Sequence, residues 1–185
     1  MDTQKQERWG AASGYLVVLL GIVGAAFALM VLAQGCQHDP YAHSFTTEKP
    51  QADDVVGRYV LTKQTVVSGG SSAMQGRPCV VVLAADGTFK ATNVPPYERG
   101  APPISSLDAL VSGSGTWQLD QVGSIGGGFS KQKPHWGVWL TARGRPVASP
   151  GFTGDKPPYG LIFTIGDGDA GTVMILERAE PSATR

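Results

Sequence analysis

The sequence is short of charged residues. Lys and Arg number 15, Asp and Glu number 15, and together they make up 16% of the 185 residues, with a formal net charge of zero. Soluble domains average about 25% charged residues. A protein that binds nucleic acid through its phosphates needs a basic excess, so we expect no nucleic-acid partner.

Cysteine is also scarce, with two residues in the whole chain. Two thiols exclude a dense disulfide scaffold and a four-thiolate zinc site. Cys79 opens an apolar stretch, CVVVLA, which predicts a buried and inert thiol. A disulfide between Cys36 and Cys79 is the alternative in an oxidising compartment.

Glycine and proline are abundant, at 25 and 13 residues. The glycines follow no three-residue period, which excludes a collagen-like chain. A hydrophobic content of 42% argues against full disorder. The composition therefore indicates a globular domain with many turns.

One long apolar run lies near the N-terminus, at Tyr15–Ala33, and it holds 19 residues without a charged side chain. A helix of this length rises about 28 Å, close to the thickness of a bilayer's hydrocarbon core. Lys5 and Arg8 precede the run, and only Lys49 follows it closely. The basic bias predicts a cytoplasmic N-terminus and a C-terminal domain on the periplasmic or extracellular side.

Three fates of this segment stay open: a retained transmembrane helix, a cleaved signal peptide, or a lipoprotein signal cut before Cys36. The stretch Leu32-Ala33-Gln34-Gly35-Cys36 resembles the lipobox of bacterial lipoproteins at Gly35 and Cys36. It departs from the lipobox at Ala33 and Gln34, where leucine and a small residue are preferred. Cys36 is therefore a candidate lipidation site.

The chain divides by composition into five parts. The stretch before the domain is polar and holds two prolines, which is typical of an extended linker. We predict a cytoplasmic tail at 1–14, a transmembrane helix or signal segment at 15–35, a flexible tether at 36–54, an extracytoplasmic β domain at 55–180 and a tail at 181–185.

The domain shows β-strand patterns and no long amphipathic helix. Strong turn signals such as Asp86-Gly87 separate short runs that alternate or are rich in β-branched residues. We predict an all-β fold, an antiparallel meander that closes into a small barrel or forms a two-layer sandwich. The seven predicted strands are 58–67, 79–84, 88–93, 115–122, 136–141, 159–165 and 172–178.

A series of short motifs runs through the domain: VGRY, ADGTFKATNVP, GSGTWQL, LIFTIGDGDAG and TVMILERA. In this order they resemble uncharacterised bacterial exported or lipoprotein-type β domains and, more loosely, lipocalin-like small barrels. The resemblance covers about residues 55–180 and its motifs are mostly turns. It implies a fold and an exported location, and it brings no activity and no site residues.

The motifs of enzymes and cofactor sites do not fit this chain. Gly166–Gly171 matches G-x-G-x-x-G, but a β-branched run follows where a dinucleotide site needs a helix. His135 is the only histidine in the domain, and no nucleophile elbow accompanies it. Metal-ligand residue types occur at Cys36, His38, Asp39 and His43, within the predicted tether. We therefore predict no catalytic residue, no cofactor and no metal.

Two tryptophans are the candidate binding surface. Trp136 and Trp139 have opposite parity on one predicted strand, so they point to opposite faces and one of them is exposed beside the glycine-rich loop 123–128.

These observations predict a non-enzymatic, membrane-anchored domain with a binding or structural role in the cell envelope. Its partners would be the membrane, through residues 15–33, and an envelope protein or a small apolar ligand. The alternative is a lipocalin-like carrier of a small apolar ligand, and an envelope hydrolase is the remote third.

Overall fold

The structure is a computed structural model, and it describes residues 39–65, 77–97, 110–126, 131–166 and 168–180. The predicted membrane segment 15–33 and Cys36 lie outside these ranges. No helix within them is both long and apolar enough to span a membrane. The described helices are the one-turn helix α1 (Ala52–Val55) and two 3-10 helices, Ala42–Ser44 and Gly168–Ala170. The described strands are β1 (Gly57–Gln64), β2 (Val80–Leu83), β3 (Thr88–Val94), β4 (Val111–Ile125), β5 (Lys133–Ala142), β6 (Arg145–Ala148), β7 (Gly151–Thr153), β8 (Gly160–Thr164) and β9 (Val173–Arg178).

Eight of these strands form a closed antiparallel barrel. Their order is β4-β3-β2-β1-β9-β8-β7-β5, and β5 returns to pair with β4. Strand β6 pairs with β5 outside this ring. The all-β prediction is confirmed, and of the two predicted arrangements the barrel is the one observed. Closure gives each strand of the ring two neighbours and so removes free sheet edges.

The turn at Asp86-Gly87 joins β2 to β3 as predicted. Gly87 has a φ of 79°, a conformation that glycine adopts without strain. The amide of Ala84 donates to the carbonyl of Thr88 at 2.9 Å, which closes the hairpin. The Asp86 carboxylate accepts the Thr88 hydroxyl at 2.6 Å and the Thr88 amide at 2.9 Å, and these bonds lower the pKa of Asp86.

Alternate side chains on the strands fill the interior of the barrel. A barrel of eight strands encloses a space just wide enough for side chains to fill. Tyr59 is completely buried there, and its hydroxyl donates to the carbonyl of Val55 at 2.6 Å. This bond ties α1 to the barrel. The largest fully buried side chains are Tyr59, Phe152, Leu83, Leu140, Leu161, Ile162, Met174 and Leu176.

Two strands lie between the predicted strands 136–141 and 159–165, where the sequence predicted no strand. Strand β6 follows β5 through a tight turn in which Arg143 and Gly144 have φ values of 51° and 73°. Strand β7 is three residues long. Both are short, Pro146 lies within β6 and Pro150 directly precedes β7, so their patterns were too weak to predict strands.

Part of the predicted tether also lies on the barrel. Phe45 is buried with Ile162 and Val173 in a small second hydrophobic cluster, which Tyr41 and Ala42 help to cover. Phe45 also forms an isolated antiparallel bridge with Thr153 of β7. We call residues 39–46 the strap. Where the sequence predicted a flexible tether, the strap is therefore packed on the barrel.

Candidate functional site

The two predicted surface tryptophans lie on β5 and take different roles. Trp136 has the same parity as the buried Val138 and Leu140, and it packs against the main core while staying partly exposed. The ammonium group of Lys49 lies 5.2 Å from the centre of the Trp136 ring. Trp136 therefore belongs to the inner face of the barrel wall.

Trp139 lies on the outer face of β5. It is opposite the exposed Gln118 of β4, and it is only partly buried. Tyr97 meets it edge to face, with ring centroids 4.9 Å apart and planes at 70°. The two tryptophans therefore do not share one surface, and the outer aromatic pair is Trp139 with Tyr97.

His135 is one of three buried polar side chains among the described residues, with Thr46 and Thr172, and the sequence did not predict its surroundings. Its side chain is 8% exposed. The imidazole stacks on Phe45 of the strap, with ring centroids 3.9 Å apart and planes at 4°. Its Nε2 atom lies 3.1 Å from the carbonyl oxygen of Phe152 on β7.

His135 lies at the junction between β5 and β7, which we call the seam. Within the described residues 131–166, β5 and β7 pair through a single pair of residues, Gly137 and Gly151. The amide of Val138 donates to the carbonyl of Pro150 at 3.0 Å beside this pair. Further along, the strands are not paired directly, and the strap takes the space between them.

Thr46 of the strap joins the two strands across this seam. Its amide donates to the carbonyl of Phe152 at 3.1 Å, and its carbonyl accepts the amide of Trp136 at 3.0 Å. Its hydroxyl donates to the carbonyl of Gly154 at 2.7 Å. The amide of Gly154 in turn donates to the carbonyl of Ser44 at 2.8 Å. Residues 45–46 of the strap thus act as a short extra strand that satisfies backbone groups of both neighbours.

The contact with Phe152 fixes the state of the imidazole. A carbonyl oxygen can only accept, so Nε2 of His135 must carry its proton and donate. Burial lowers the pKa of His135, while the bond to the Phe152 carbonyl and the charge of Asp39 act in the opposite direction. His135 is therefore a neutral donor in the packed state, and its Nε2 atom is not placed to act as a base.

The loop between β8 and β9 packs against the beginning of the strap. The amide of Ile165 donates to the carbonyl of Thr172 at 2.9 Å, so the loop closes a hairpin between β8 and β9. A Cβ atom on Gly168 would lie 3.2 Å from a carboxylate oxygen of Asp39. This placement gives Gly168 a packing role.

Metal-ligand and thiol side chains are few in the part of the chain that the structure describes. Within it, no group of three or more His, Cys, Asp or Glu side chains is arranged to hold a metal ion. Cys79 is a free thiol that is 2% exposed, and burial raises its pKa to about 12. Cys79 is therefore a buried thiol, as predicted, and Cys36, its partner in the alternative disulfide, lies outside the described residues.

Sequence reasoning missed Phe45 and Thr46, the two strap residues that complete the seam. They stand in the polar stretch SFTTEK, which shows no strand period over a useful length. The one signal was a single aromatic residue followed by two β-branched residues. Their burial results from a gap in the barrel wall, and a gap between distant strands leaves no local pattern.

Comparisons with known protein families, with curated proteins and with solved structures give no match for this chain.

Proposed function

We propose that this chain is a membrane-anchored, extracytoplasmic β-barrel domain with a non-enzymatic binding or structural role in the cell envelope. The observation that carries the proposal is the uncharged apolar run Tyr15–Ala33, which ends shortly before the strap begins at Asp39. A run of this length and composition suits a bilayer's hydrocarbon core. The closed barrel is the domain that such an anchor would hold.

The outer aromatic pair supports a binding role. Trp139 and Tyr97 are both partly exposed on the outside of the barrel, and their rings hold each other in a fixed edge-to-face arrangement. Aromatic side chains that keep their geometry without a partner lose little conformational entropy on binding, and they are enriched in protein interfaces. This pair is the surface that we propose for an envelope partner.

The anchoring is tested with the full chain carrying a C-terminal epitope tag and expressed in a bacterium. We expect the protein to stay with membranes after an alkaline carbonate wash, and the tag to be digested when protease is added to spheroplasts. The double variant Val23→Arg, Phe27→Arg should leave the membrane fraction, because each arginine at the centre of a helix costs about 2.5–3.5 kcal/mol on insertion.

The matched control is Val23→Leu, Phe27→Leu, which keeps the run apolar and should behave as the wild type. A wild-type chain that washes off with carbonate, or a tag that is protected in spheroplasts, would contradict the proposal. Labelling with a fatty-acid analogue then separates the fates of the segment. Label that is lost in Cys36→Ala and kept in Cys79→Ala identifies a lipoprotein, and no label identifies a retained helix or plain cleavage.

A second candidate function is a lipocalin-like carrier of a small apolar ligand. It is favoured by the closed barrel and by three large apolar side chains that pack against the core but stay partly exposed, Trp117, Leu119 and Trp136. Saturable binding of an apolar fluorescent probe such as anilinonaphthalene sulfonate would support it. Binding should weaken in Trp136→Ala and stay unchanged in Trp139→Ala.

The probe experiment also separates the two candidates. Loss of probe binding in Trp139→Ala alone would assign the site to the outer aromatic pair and favour a surface for partners. We do not propose the hydrolase, because the contacts of His135 with Phe45 and Phe152 suit a packing role better than proton transfer to a substrate.

A further inference from the structure

The strap is the one part of the barrel wall in the described ranges that is not a strand of the ring. The eight strands close without it, through the pair Gly137–Gly151. It is held by the Thr46 and Ser44 hydrogen bonds, by the Phe45 bridge to Thr153 and by the packing of the segment around Asp39 on the β8–β9 loop. The Phe45 ring stacks on His135 and is buried with Ile162 and Val173. The strap can therefore leave its place without breaking a pairing between ring strands.

The imidazole of His135 lies directly beneath the strap. Phe45 covers one face of the ring, and the backbone of Gly151 is so close that a Cβ atom there would overlap Nε2 and Cε1. The Phe152 carbonyl accepts from both Nε2 of His135 and the amide of Thr46. The imidazole ring and the strap are therefore in face-to-face contact and share one hydrogen-bond acceptor, the Phe152 carbonyl. A change in the position of either one changes the contacts of the other.

We propose that the strap is an acid-released segment whose release is controlled by the protonation of His135. With the strap in place, the ring is enclosed by Phe45 and the β7 backbone. When the strap leaves, the ring meets water. The protonated imidazole is better solvated in the released state, so acid favours release.

The charges that face His135 do not cancel this effect. On the strap, Asp39 favours the protonated ring. The residues that face the ring from β7 are Gly151 and Phe152, and the residue opposite it on β4 is Gly123, none of which carries a charge. Burial is the largest effect on the His135 pKa, and it outweighs the Phe152 bond and Asp39. The pKa is therefore lower with the strap in place than in water.

The direction of the pH dependence follows from this difference. The usual pKa of histidine is 6.5, and the enclosed ring has a lower value. The enclosed state is therefore fully favoured above pH about 6.5, and it loses stability as the pH falls from there toward the lowered pKa. A single proton changes the opening equilibrium by at most about tenfold per pH unit within this window.

Release has a structural consequence for the seam. It frees the amide of Trp136, the carbonyl of Phe152 and the amide of Gly154, which Thr46 and Ser44 otherwise occupy. These backbone groups then lack their partners on the strap, and the exchange of the two amides reports that loss.

The test is amide hydrogen exchange of the full-length chain in a mild detergent, followed by NMR. Protection factors, which correct for the intrinsic effect of pH, are measured at pH 7.5 and 5.5. We expect the amides of Thr46, Trp136 and Gly154 to lose protection several-fold, up to about tenfold. The amide of Leu61 donates to the backbone carbonyl of Cys79 at 3.1 Å, and its protection should not change.

Three variants assign the effect. His135→Gln keeps a donor and cannot titrate, so the loss of protection at pH 5.5 should vanish. His135→Phe keeps the ring stack and should give the same result, in case the glutamine variant does not fold. His43→Gln removes an exposed histidine of the strap and should keep the wild-type response.

Several results would overturn the proposal. One is equal protection of the three strap-linked amides at both pH values in the wild type. Another is a pH response that persists in both His135 variants or disappears in His43→Gln. A parallel loss of protection at Leu61 would indicate acid unfolding of the whole domain instead of release of the strap.

Discussion

Gly151 faces the imidazole ring of His135 so closely that it cannot carry a side chain. A Cβ atom on Gly151 would overlap Nε2 and Cε1 of the ring. Across the seam, a Cβ atom on its partner Gly137 would overlap the carbonyl oxygen of Pro150 and lie 2.8 Å from the Cα atom of Gly151. The barrel therefore closes at its weakest pairing because both strands have a glycine there, and the histidine fills the space that they leave.

The first prediction concerns this contact. Gly151→Ala should lower the free energy of unfolding by about 1–3 kcal/mol, because the new methyl group forces the His135 ring or the β7 backbone to move. Gly113→Ala on β4 is the matched control, since a Cβ atom there meets nothing within 4 Å. Urea unfolding of both variants measures the difference. Equal stability of the two variants would contradict the close packing of Gly151 on His135.

The second prediction concerns the bond between Tyr59 and Val55. Tyr59→Phe removes a buried donor and leaves the Val55 carbonyl without it, so we expect a loss of about 1–2 kcal/mol in the free energy of unfolding. Burial raises the pKa of Tyr59 to about 12, and the charge of Arg178 opposes this in part. The folded state therefore holds the phenol proton more tightly than the unfolded state.

The sign of the resulting pH dependence is a loss of stability in alkali. The contribution of Tyr59 is complete below the ordinary pKa of 10.0 and disappears as the pH rises toward about 12. Urea unfolding at pH 9 and 11.5 should show a larger loss of stability in the protein with Tyr59 than in the Tyr59→Phe variant. Both proteins should carry Cys79→Ala, because that thiol titrates in the same range. Identical losses would argue against a buried phenol.

Local patterns explain why most of the barrel could be predicted. On β4, inward-facing residues such as Trp117 and Leu119 alternate with exposed polar ones such as Gln118 and Asp120. On β3, Phe89 and Ala91 are buried, while Thr88 and Lys90 beside them are exposed. A strand with one face in the core must show this period of two, so the alternation can be read within the residues of each strand.

The seam could not be predicted because nothing local specifies it. Strand β7 has three residues, too few for a period. Phe45 and His135 are 90 positions apart in the chain, and each looks like an ordinary residue of its own segment. The gap between β5 and β7 arises only after the barrel closes, and the strap is then buried because it fits that gap.

The third prediction concerns Cys79. Its thiol is 2% exposed and its pKa is raised to about 12, so almost no thiolate is present or accessible at pH 8. Iodoacetamide should leave Cys79 unmodified in the native protein and modify it readily in urea. Mass spectrometry of the peptide that contains Cys79 distinguishes it from Cys36. Native labelling of that peptide at the rate seen in urea would contradict the burial.

The fourth prediction concerns the outer aromatic pair. The Trp139 and Tyr97 rings meet edge to face at 4.9 Å, an arrangement in which the positive edge of one ring meets the negative face of the other. A double-mutant cycle with Trp139→Ala and Tyr97→Ala should give a coupling of about 0.5–1.5 kcal/mol in the free energy of unfolding.

A second cycle, Trp139→Ala with Lys90→Ala on β3, is the control for this coupling. Lys90 is exposed, and its strand is separated from β5 by β4 in the sheet order, so the two changes should be additive within about 0.5 kcal/mol. Additive changes in the Trp139–Tyr97 cycle as well would mean that the rings do not support each other in solution. The outer pair would then lose the fixed geometry that makes it a candidate for binding a partner.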